Sequence, residues 1–295
     1  MRASALWDRL YPYLQMMRPA NLVTANADIL AGFAAAGQPS FARLPWLLLA
    51  TTGIYGGGVV LNDVFDANLD AAERPERPIP SRRASCSVAA ALGLAMLAAG
   101  VACAFRCTAT SGVIGGLAAT CAVLYDAAGK RHAVLGPINM GACRGLNLML
   151  GVSAAPAQLA SHWHLALIPV AYIAAITAVS AGEVHGGRRS TGLLALLLLC
   201  GVLLALPALA LRPDFHLAAL LPFLLILAAR VAPPFWQAYR SPAPARLRAA
   251  VKAGVLSLIV LDAAIAAGYA GLVFGAAVLT LILLAGYLAR KFAVT

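Results

Sequence analysis

Long apolar runs alternate with short polar segments along the whole chain. Ten runs can be recognised, at about residues 19–37, 44–62, 84–105, 109–127, 133–154, 163–182, 191–211, 215–235, 249–268 and 271–289. Each is close to the roughly 20 residues that an α-helix needs to cross the hydrocarbon core of a bilayer. The pattern predicts an all-α, polytopic membrane bundle. We expect nine or ten transmembrane helices, because only residues 268–271 separate the last two runs.

The composition excludes a soluble protein of this size. Of the 295 residues, 62% are hydrophobic and 11% are charged, against about 25% charged residues in an ordinary soluble domain. Disorder is also excluded, because a disordered chain combines low hydrophobicity with high charge. No polar stretch is long enough to form a separate soluble domain. Residues 1–295 are therefore expected to form a single integral-membrane domain.

The basic residues indicate how the chain crosses the membrane. The net charge is +11, from 22 Lys and Arg against 11 Asp and Glu. These residues lie in short segments between apolar runs, so the expected surroundings are membrane lipids and not nucleic acid. With the N-terminus inside, 17 of the 22 fall on the cytoplasmic side and three on the opposite side. We therefore expect a multi-pass protein of the plasma membrane, with both termini cytoplasmic if there are ten helices.

Acidic residues cluster at the inner end of the second apolar run. Asn62, Asp66 and Asp70 are spaced by four residues, which places all three on one face of a helix. Asp63 lies at the edge of the same face. Carboxylates stacked in this way repel one another, and a bound cation relieves the repulsion. Because Mg²⁺ prefers oxygen ligands, the spacing predicts a Mg²⁺ site at Asn62, Asp66 and Asp70, with Asp63 in support; a solvated acidic helix end is the alternative.

A basic, proline-rich segment follows the acidic residues directly. It supplies Arg74, Arg77, Arg82 and Arg83, while prolines at 75, 78 and 80 prevent a helix. Guanidinium groups match the geometry of phosphate oxygens. Arginines beside a Mg²⁺ site therefore favour a diphosphate ligand. Simple anchoring at the inner membrane surface is compatible with the same residues.

These motifs resemble a known family. The string Asn-Asp-x-x-Asp-x-x-x-Asp at 62–70, followed by Arg-Pro-x-Arg-Pro-Ile-Pro-Ser at 74–81, is similar to the first aspartate-rich motif of the UbiA superfamily of intramembrane prenyltransferases. The likeness extends to Arg18-Pro-x-Asn21 and to a polar loop after the sixth run. The stretch 125–145 also resembles the EboC-type branch of this superfamily.

The resemblance implies a fold and a reaction. In this family a helical bundle surrounds a central cavity, in which two aspartate motifs face each other, and Mg²⁺ bridges them to the diphosphate of a polyprenyl donor. Departure of the diphosphate leaves an allylic cation that alkylates a lipophilic acceptor. The resemblance implies catalytic roles for Asp66, Asp70 and Glu183. Candidate contacts to the substrates are Arg18, Asn21, Arg77, Tyr125, Lys130 and Arg131.

The chain departs from the family pattern in two places. The second motif usually carries two or three aspartates, whereas the matching stretch 180–189 has one carboxylate, Glu183. We expect Glu183 to be the ligand of any second Mg²⁺, with His185 as the alternative that replaces a carboxylate. The spacing from Tyr125 to Lys130 is one residue longer than usual, with Asp126 beside the tyrosine. This leaves open whether Lys130 or Arg131 contacts the phosphate.

Charged residues also lie within apolar runs. Asp28, Arg144 and Asp262 each fall far from the ends of a run. A charge at bilayer depth is costly, so these side chains should face the interior of the bundle and find partners. Arg144 is expected either to line the cavity and bind diphosphate or acceptor, or to pair with Asp28 as a structural contact. Asp262 is interpreted as structural.

Taken with the resemblance, these features predict Mg²⁺-dependent transfer of a prenyl group from a polyprenyl diphosphate to an acceptor within the membrane. The acceptor is an aromatic or another lipophilic molecule, and its identity is left open among an aromatic ring, a quinone precursor, a tetrapyrrole and a glycerol phosphate. The single carboxylate of the second loop motivates an alternative, a non-catalytic carrier or flippase for a lipid or an aromatic metabolite. A non-catalytic assembly partner is the third hypothesis.

Overall fold

The computed structural model describes residues 2–132 and 134–292, apart from the side chains of residues 2–6 and 131. Within that part of the chain, the regular elements are helices and there is no strand. The α-helices are α1 (Arg2–Met16), α2 (Pro19–Ala35), α3 (Leu44–Phe65), α4 (Ala67–Glu73), α5 (Cys86–Cys107), α6 (Ala109–Ala127), α7 (Leu135–Val152), α8 (Leu159–His162), α9 (Leu167–Ser180), α10 (Arg189–Ala208), α11 (Leu217–Arg240), α12 (Pro244–Ala270), α13 (Leu272–Leu279) and α14 (Leu281–Lys291).

The predicted all-α fold is confirmed, and each predicted apolar run coincides with a helix or a pair of helices. In the described residues, eight helical segments are long and apolar enough to cross a membrane: Leu44–Phe65, Cys86–Cys107, Ala109–Ala127, Pro156–Ser180, Arg189–Leu211, Leu217–Arg240, Pro244–Ala270 and Leu272–Lys291. The two other predicted runs form α2, which has 17 residues, and α7, which carries buried Arg144 and Asn147. The number of crossings therefore stays a prediction.

Glycines bring α3 and α5 into backbone contact. A Cβ atom added at Gly57 would lie 2.7 Å from the carbonyl oxygen of Gly93, and one added at Gly53 would lie 2.7 Å from that of Met96. One added at Gly100 would lie 2.7 Å from the carbonyl oxygen of Ala50. Small residues permit such contacts between membrane helices. Close packing against α5 therefore fixes the position of α3, the helix that leads into the acidic motif.

Helix α12 occupies the centre of the bundle. It packs against α2, α9, α11 and α13, and it is buried continuously from Ser257 to Gly268. The chain turns sharply at Gly271, whose φ of 86° favours glycine. The weak boundary between the last two predicted runs is therefore a real break, and α12 ends there.

Polar contacts tie the loop between α10 and α11 to α8. His162 is buried, and its Nε2 lies 3.4 Å from Asp214 Oδ2. Arg212 donates a hydrogen bond of 2.8 Å to the carbonyl oxygen of Ser161, and its Nε lies 3.2 Å from Asp214 Oδ1. Partial burial acts to raise the pKa of Asp214. Hydrogen bonds from Arg212 and from the backbone outweigh this effect and leave the pKa below its usual value. These contacts lie apart from the acidic motif.

Candidate active site

A cavity of about 390 Å³ opens among α2, α3, α4, α6, α7, α9 and α12. Charged side chains surround one end, which we call the charged mouth: Arg18, Asp66, Asp70, Glu73, Arg74, Arg77 and Glu183. The walls behind it are mainly apolar, and they include Ala118, Ala122, Ile173, Ile176 and Val255. The cavity thus combines a polar entrance with an apolar interior, which suits a ligand with a charged head and a hydrocarbon chain.

The acidic motif lines the charged mouth, although the helix through it is not continuous. Helix α3 ends at Phe65, and Asp66 stands between α3 and α4. The one-turn spacing survives, because the backbone N–H of Asp66 bonds to Asn62 O at 2.9 Å and that of Asp70 bonds to Asp66 O at 2.8 Å. Asn62, Asp66 and Asp70 therefore all line the same cavity, as their spacing predicts.

Basic side chains pair with the carboxylates of the motif. Lys130 Nζ lies 2.7 Å from Asp66 Oδ1, and Arg77 Nη1 lies 2.8 Å from Asp70 Oδ2. These pairs relieve the repulsion that the sequence places on one helix face. A cation at the motif has to compete with Lys130 and Arg77, or share the carboxylates with them.

Asp63 lies behind the cavity wall, outside the cavity lining. Its Oδ1 accepts a hydrogen bond of 2.9 Å from Arg18 Nη2 and lies 3.4 Å from Arg77 Nη1. Sequence reasoning placed Asp63 beside the metal ligands, whereas the structure places it between two arginines of the charged mouth. Its position fits a residue that orients Arg18 and Arg77.

Asp126 is a cavity residue that sequence reasoning did not include in the site. It is buried and lines the cavity next to Tyr125, and its Oδ1 accepts a hydrogen bond of 2.7 Å from Asn62 Nδ2. The available signal was its insertion beside Tyr125, in the lengthened spacing to Lys130. The contact occupies the amide nitrogen of Asn62 and leaves its oxygen as the atom suited to a cation.

Glu183 approaches the mouth from the loop after α9. Its side chain lines the cavity, and its Oε1 is buried without a hydrogen-bond partner among the described residues. Burial raises the pKa of this carboxyl group, against the opposing charges of Arg74 and Arg248. Arg248 also donates a hydrogen bond of 2.9 Å to the backbone oxygen of Glu183. The predicted remnant of the second motif thus shares the cavity of the first motif.

The donor set at the mouth fits Mg²⁺ when a ligand supplies further oxygens. Among the residues that the structure describes, no group of three or more His, Cys, Asp and Glu side chains could hold a metal ion alone. Mg²⁺ is commonly bound through one or two carboxylates, with water and phosphate oxygens completing the octahedron. Asp66 and Asp70, the Asn62 oxygen and the unpartnered Glu183 Oε1 provide protein ligands of this kind.

The other predicted substrate contacts fall into three groups. Arg18, Asn21 and Tyr125 line the cavity. Lys130 lies beside Asp66. The side chain of Arg131 lies outside the described part of the chain. Which of the two contacts the phosphate therefore stays open, although the position of Lys130 beside the acidic motif favours Lys130.

Arg144 both lines the cavity and pairs with Asp28, while its binding of a substrate stays a prediction. It lines the cavity, and its Nε lies 3.0 Å from Asp28 Oδ2. Its guanidinium carbon stands 5.4 Å from the ring centroid of Tyr55. Tyr55 precedes Asp66 by 11 residues, a rise of roughly 16 Å along a helix. Arg144 therefore lies at the deep end of the cavity, far from the charged mouth.

Curated relatives share part of this sequence. The digeranylgeranylglyceryl phosphate synthase of Methanothermobacter thermautotrophicus is 31% identical over 143 residues, which cover 48% of this chain and 50% of that protein. The enzyme of the same name from Methanoculleus marisnigri is 30% identical over 210 residues, covering 65% and 75%. The chain spans about half the length of the first curated relatives that it matches.

Solved structures share the fold. A UbiA homologue from Archaeoglobus fulgidus, bound to DMAPP and Mg²⁺, superimposes with a TM-score of 0.65 at 16% identity, over 91% of this chain and 99% of that one. The apo structure of a UbiA homologue from Aeropyrum pernix K1 gives a TM-score of 0.66 at 14% identity, over 83% and 96%.

The sequence model of the UbiA prenyltransferase family matches residues 27–258. That span contains the acidic motif, the arginine loop, Tyr125, Lys130 and Glu183, so it includes most of the charged mouth. The motifs, the helical bundle around one cavity and the match over most of the sequence agree, and the chain is a multi-pass membrane protein that belongs to the UbiA prenyltransferase family.

Proposed function

We propose that this protein transfers a prenyl group from a polyprenyl diphosphate to a lipophilic acceptor within the membrane, in a Mg²⁺-dependent reaction. One observation carries the proposal: the carboxylates and arginines of the charged mouth open onto an apolar cavity. A diphosphate needs the charged groups of the mouth, and a hydrocarbon chain needs the apolar walls behind them. The name of the family and the names of the relatives support the same reaction.

Arginines of the mouth are placed to hold the diphosphate. Arg18, Arg74 and Arg77 line the cavity, and Asp63 fixes two of them. When the bond between the first prenyl carbon and the diphosphate oxygen breaks, negative charge grows on the leaving group. Fixed cationic donors stabilise that charge without reorganising. The prenyl carbon then bonds to the acceptor, which releases a proton.

The apolar walls protect the reactive carbon. Ile173, Ile176 and Val255 line the interior behind the mouth. Such walls hold the prenyl chain by apolar contact and exclude water, which would otherwise attack the developing cation. Asn62, Asp66, Asp70 and Glu183 would hold Mg²⁺ at the mouth. The cation would supply further positive charge to the leaving diphosphate.

The relatives favour an oxygen nucleophile in the acceptor. Their names describe synthesis of a glyceryl phosphate that carries geranylgeranyl groups. A glycerol phosphate derivative is therefore the acceptor class that we propose for this chain, ahead of an aromatic ring. We also propose that residues 1–295 form one membrane domain whose charged mouth faces the cytoplasm, where the basic residues are expected to concentrate. Both termini are cytoplasmic as well if there are ten transmembrane helices.

Diphosphate release by the purified protein in lipid nanodiscs tests the function. Geranyl, farnesyl and geranylgeranyl diphosphates are each supplied with Mg²⁺ and a pool of acceptors that contains glycerol phosphate ethers and phenols. We expect release that disappears on chelation of Mg²⁺ and in the Asp66→Ala variant, and mass spectrometry of the pool identifies the alkylated acceptor. The Glu76→Gln variant, which removes a carboxylate from the exposed part of the arginine loop, serves as the control.

Failure of this experiment has a defined meaning. If none of the diphosphates binds in the presence of Mg²⁺, the transferase proposal is wrong. Movement of a lipid or an aromatic metabolite across vesicles, without any diphosphate formed, would then support the carrier hypothesis.

A further inference from the structure

A charged side chain lies on the outer surface of the bundle, far from the ends of a helix that is long enough to cross the membrane. Arg230 belongs to α11 and is exposed. This helix packs mainly against α10 and α12, and large apolar side chains elsewhere on its surface, such as Leu225 and Trp236, are also exposed. In a membrane this surface faces lipid. Charged residues within membrane helices almost always face the interior of the bundle instead, because a charge in lipid is costly.

The hairpin of α11 and α12 determines the depth of Arg230. Helix α11 ends at Arg240, and α12 begins at Pro244 and runs back along it. The backbone N–H of His216 bonds to Gly268 O at 2.8 Å, so residues equally distant from the turn lie level with each other. Arg230 is ten residues from the end of α11, a rise of roughly 15 Å. This distance is about half of the thickness of the hydrocarbon core.

The side chain of Arg230 points away from the nearer membrane surface. Its Nε donates a hydrogen bond of 3.1 Å to Ser257 Oγ. Ser257 is the central residue of α12, with 13 residues on either side, and it lies about one turn deeper than Arg230. Side chains tilt toward the N-terminus of their own helix, and the N-terminus of α11 lies at the opposite surface. Arg230 therefore does not reach the polar interface, as a snorkelling arginine does.

The contact with Ser257 leaves most of the guanidinium group without a partner. Arginine has five N–H donors and stays charged, and the bond from Nε uses one of them. Within the ranges that the structure describes, Arg230 forms no ion pair with a carboxylate. A neutral hydroxyl group does not balance the charge. The remaining donors therefore require a negatively charged acceptor that approaches from the lipid side.

A second copy of this chain does not offer such an acceptor. Two acidic residues lie in the middle of long apolar helices, Asp28 and Asp262, and both are 0% exposed. The other acidic residues lie in loops, near helix ends, or on α1 and the short α4. A lipid phosphate is also a poor partner, because it would have to leave the interface and carry its own charge into the hydrocarbon core. The acceptor that fits is a carboxylate already placed at this depth by another helix.

We propose that the face of α11 around Arg230 binds a transmembrane helix of another membrane protein, through a carboxylate near the middle of that helix. Guanidinium and carboxylate groups match in a bidentate geometry, and both charges leave the lipid when the helices pack. Ala229 and Ala232 are exposed beside Arg230, and small residues permit close approach of a second helix. Arg230 lies outside the cavity lining, so this proposal is independent of prenyl transfer.

Association with a designed transmembrane peptide tests the proposal. The peptide consists of leucine and alanine with a single aspartate at its centre, and its counterpart carries asparagine at the same position. Energy transfer between a fluorophore at the C-terminus of the protein and one on the peptide is measured in neutral phosphatidylcholine liposomes at mildly alkaline pH. We expect the aspartate peptide to bind about tenfold more tightly, as the difference between a charged and a neutral acceptor predicts.

The Arg230→Leu variant removes the charge and keeps an apolar side chain on this face. It should bind the two peptides equally and retain the diphosphate release of the wild type. Lys252→Gln is the matched control, because Lys252 is an exposed cation of the same hairpin whose side chain tilts toward the nearer surface. This control should keep the preference for aspartate. If Arg230→Leu does not fold, the comparison of the two peptides on the wild-type protein decides the question.

Thermal unfolding without peptide distinguishes a binding role from a structural one. Arg230→Leu should unfold at a higher temperature than the wild type, because it removes an unbalanced charge from lipid. A lower unfolding temperature would show that the bond to Ser257 is the purpose of Arg230, and it would overturn the proposal.

Four binding results would also overturn the proposal. Equal affinity of the wild type for the two peptides, or a preference that persists in Arg230→Leu, would show that Arg230 does not recognise a carboxylate. Loss of the preference on addition of anionic phosphatidylglycerol would identify a lipid headgroup as the occupant. Self-association of the wild type that Arg230→Leu abolishes would identify a second copy.

Discussion

Replacement of Asp63 by asparagine separates two roles that the acidic motif allows. A metal ligand at this position would contribute to Mg²⁺ affinity. The structure instead places the carboxylate between Arg18 and Arg77, behind the cavity wall. In that position Asp63 orients Arg18 and Arg77, the donors that we propose for the diphosphate. The Asp63→Asn variant should therefore bind the prenyl diphosphate more weakly and keep its Mg²⁺ requirement.

The magnitude follows from the two contacts. The hydrogen bond from Arg18 to Asp63 is short, at 2.9 Å, so its loss matters most. Arg77 is 3.4 Å from Asp63 and retains its 2.8 Å contact with Asp70 in the variant. Asparagine still accepts a hydrogen bond from Arg18 but without the charge. Neutral acceptors give roughly half the strength of charged ones, so the loss is about 1.5 kcal/mol. This corresponds to an increase of about tenfold in the KM for the donor.

Steady-state diphosphate release in nanodiscs measures the KM for the donor and the Mg²⁺ concentration that the reaction requires. The donor is titrated at saturating Mg²⁺, and Mg²⁺ is titrated at saturating donor. Glu76→Gln, which removes a carboxylate from the same loop, should leave both values unchanged. A raised Mg²⁺ requirement with an unchanged KM for the donor would show that Asp63 is a metal ligand and that the positioning argument is wrong.

Three further predictions follow from particular contacts. Lys130→Gln should lower the Mg²⁺ concentration needed for half-maximal donor binding, because Lys130 competes for Asp66 Oδ1 at 2.7 Å; a higher requirement would contradict the competition. Gly32→Ala should lower the free energy of unfolding by about 1–3 kcal/mol, since the added Cβ would lie 2.2 Å from Leu148 O, whereas Gly286→Ala meets open space and serves as the control in unfolding experiments. The pKa of Asp214 is lowered in the folded protein, so the ionised Asp214 stabilises the fold above pH 3.8, and this contribution is lost as the pH falls below 3.8. The difference in unfolding free energy between wild type and Asp214→Asn should therefore shrink as the pH falls below 3.8. A difference that does not change with pH would contradict this prediction.

The sequence was sufficient for the fold and for most of the charged mouth. Apolar runs of bilayer length determine where helices form, because each run must satisfy its backbone internally. The four-residue spacing of Asn62, Asp66 and Asp70 brings these residues to one cavity even though the helix breaks at Asp66. Both signals are local, so they can be recognised without tertiary information.

Other features depend on helices that are distant in the sequence. The partners of Asp63 are Arg77 in the loop after α4 and Arg18 just before α2, and no spacing rule relates Asp63 to Arg18. The contact of Asn62 with Asp126 joins α3 to α6. Asp262 could be recognised as buried and charged, but its position beside Asp28 requires the packing of α12 against α2. Side-chain pairing across the bundle is thus the part that the sequence alone leaves open.

The backbone contact between α3 and α5 constrains how a long lipid enters the cavity. Where Gly57 meets Gly93 and Gly100 meets Ala50, separation of the helices would replace a close backbone contact with a void, which densely packed interiors do not tolerate. We therefore expect these two helices to move as one rigid body. If the cavity opens toward the lipid, we expect it to open where side chains form the contacts, as those of Ile173 and Leu258 do in the walls built by α9 and α12.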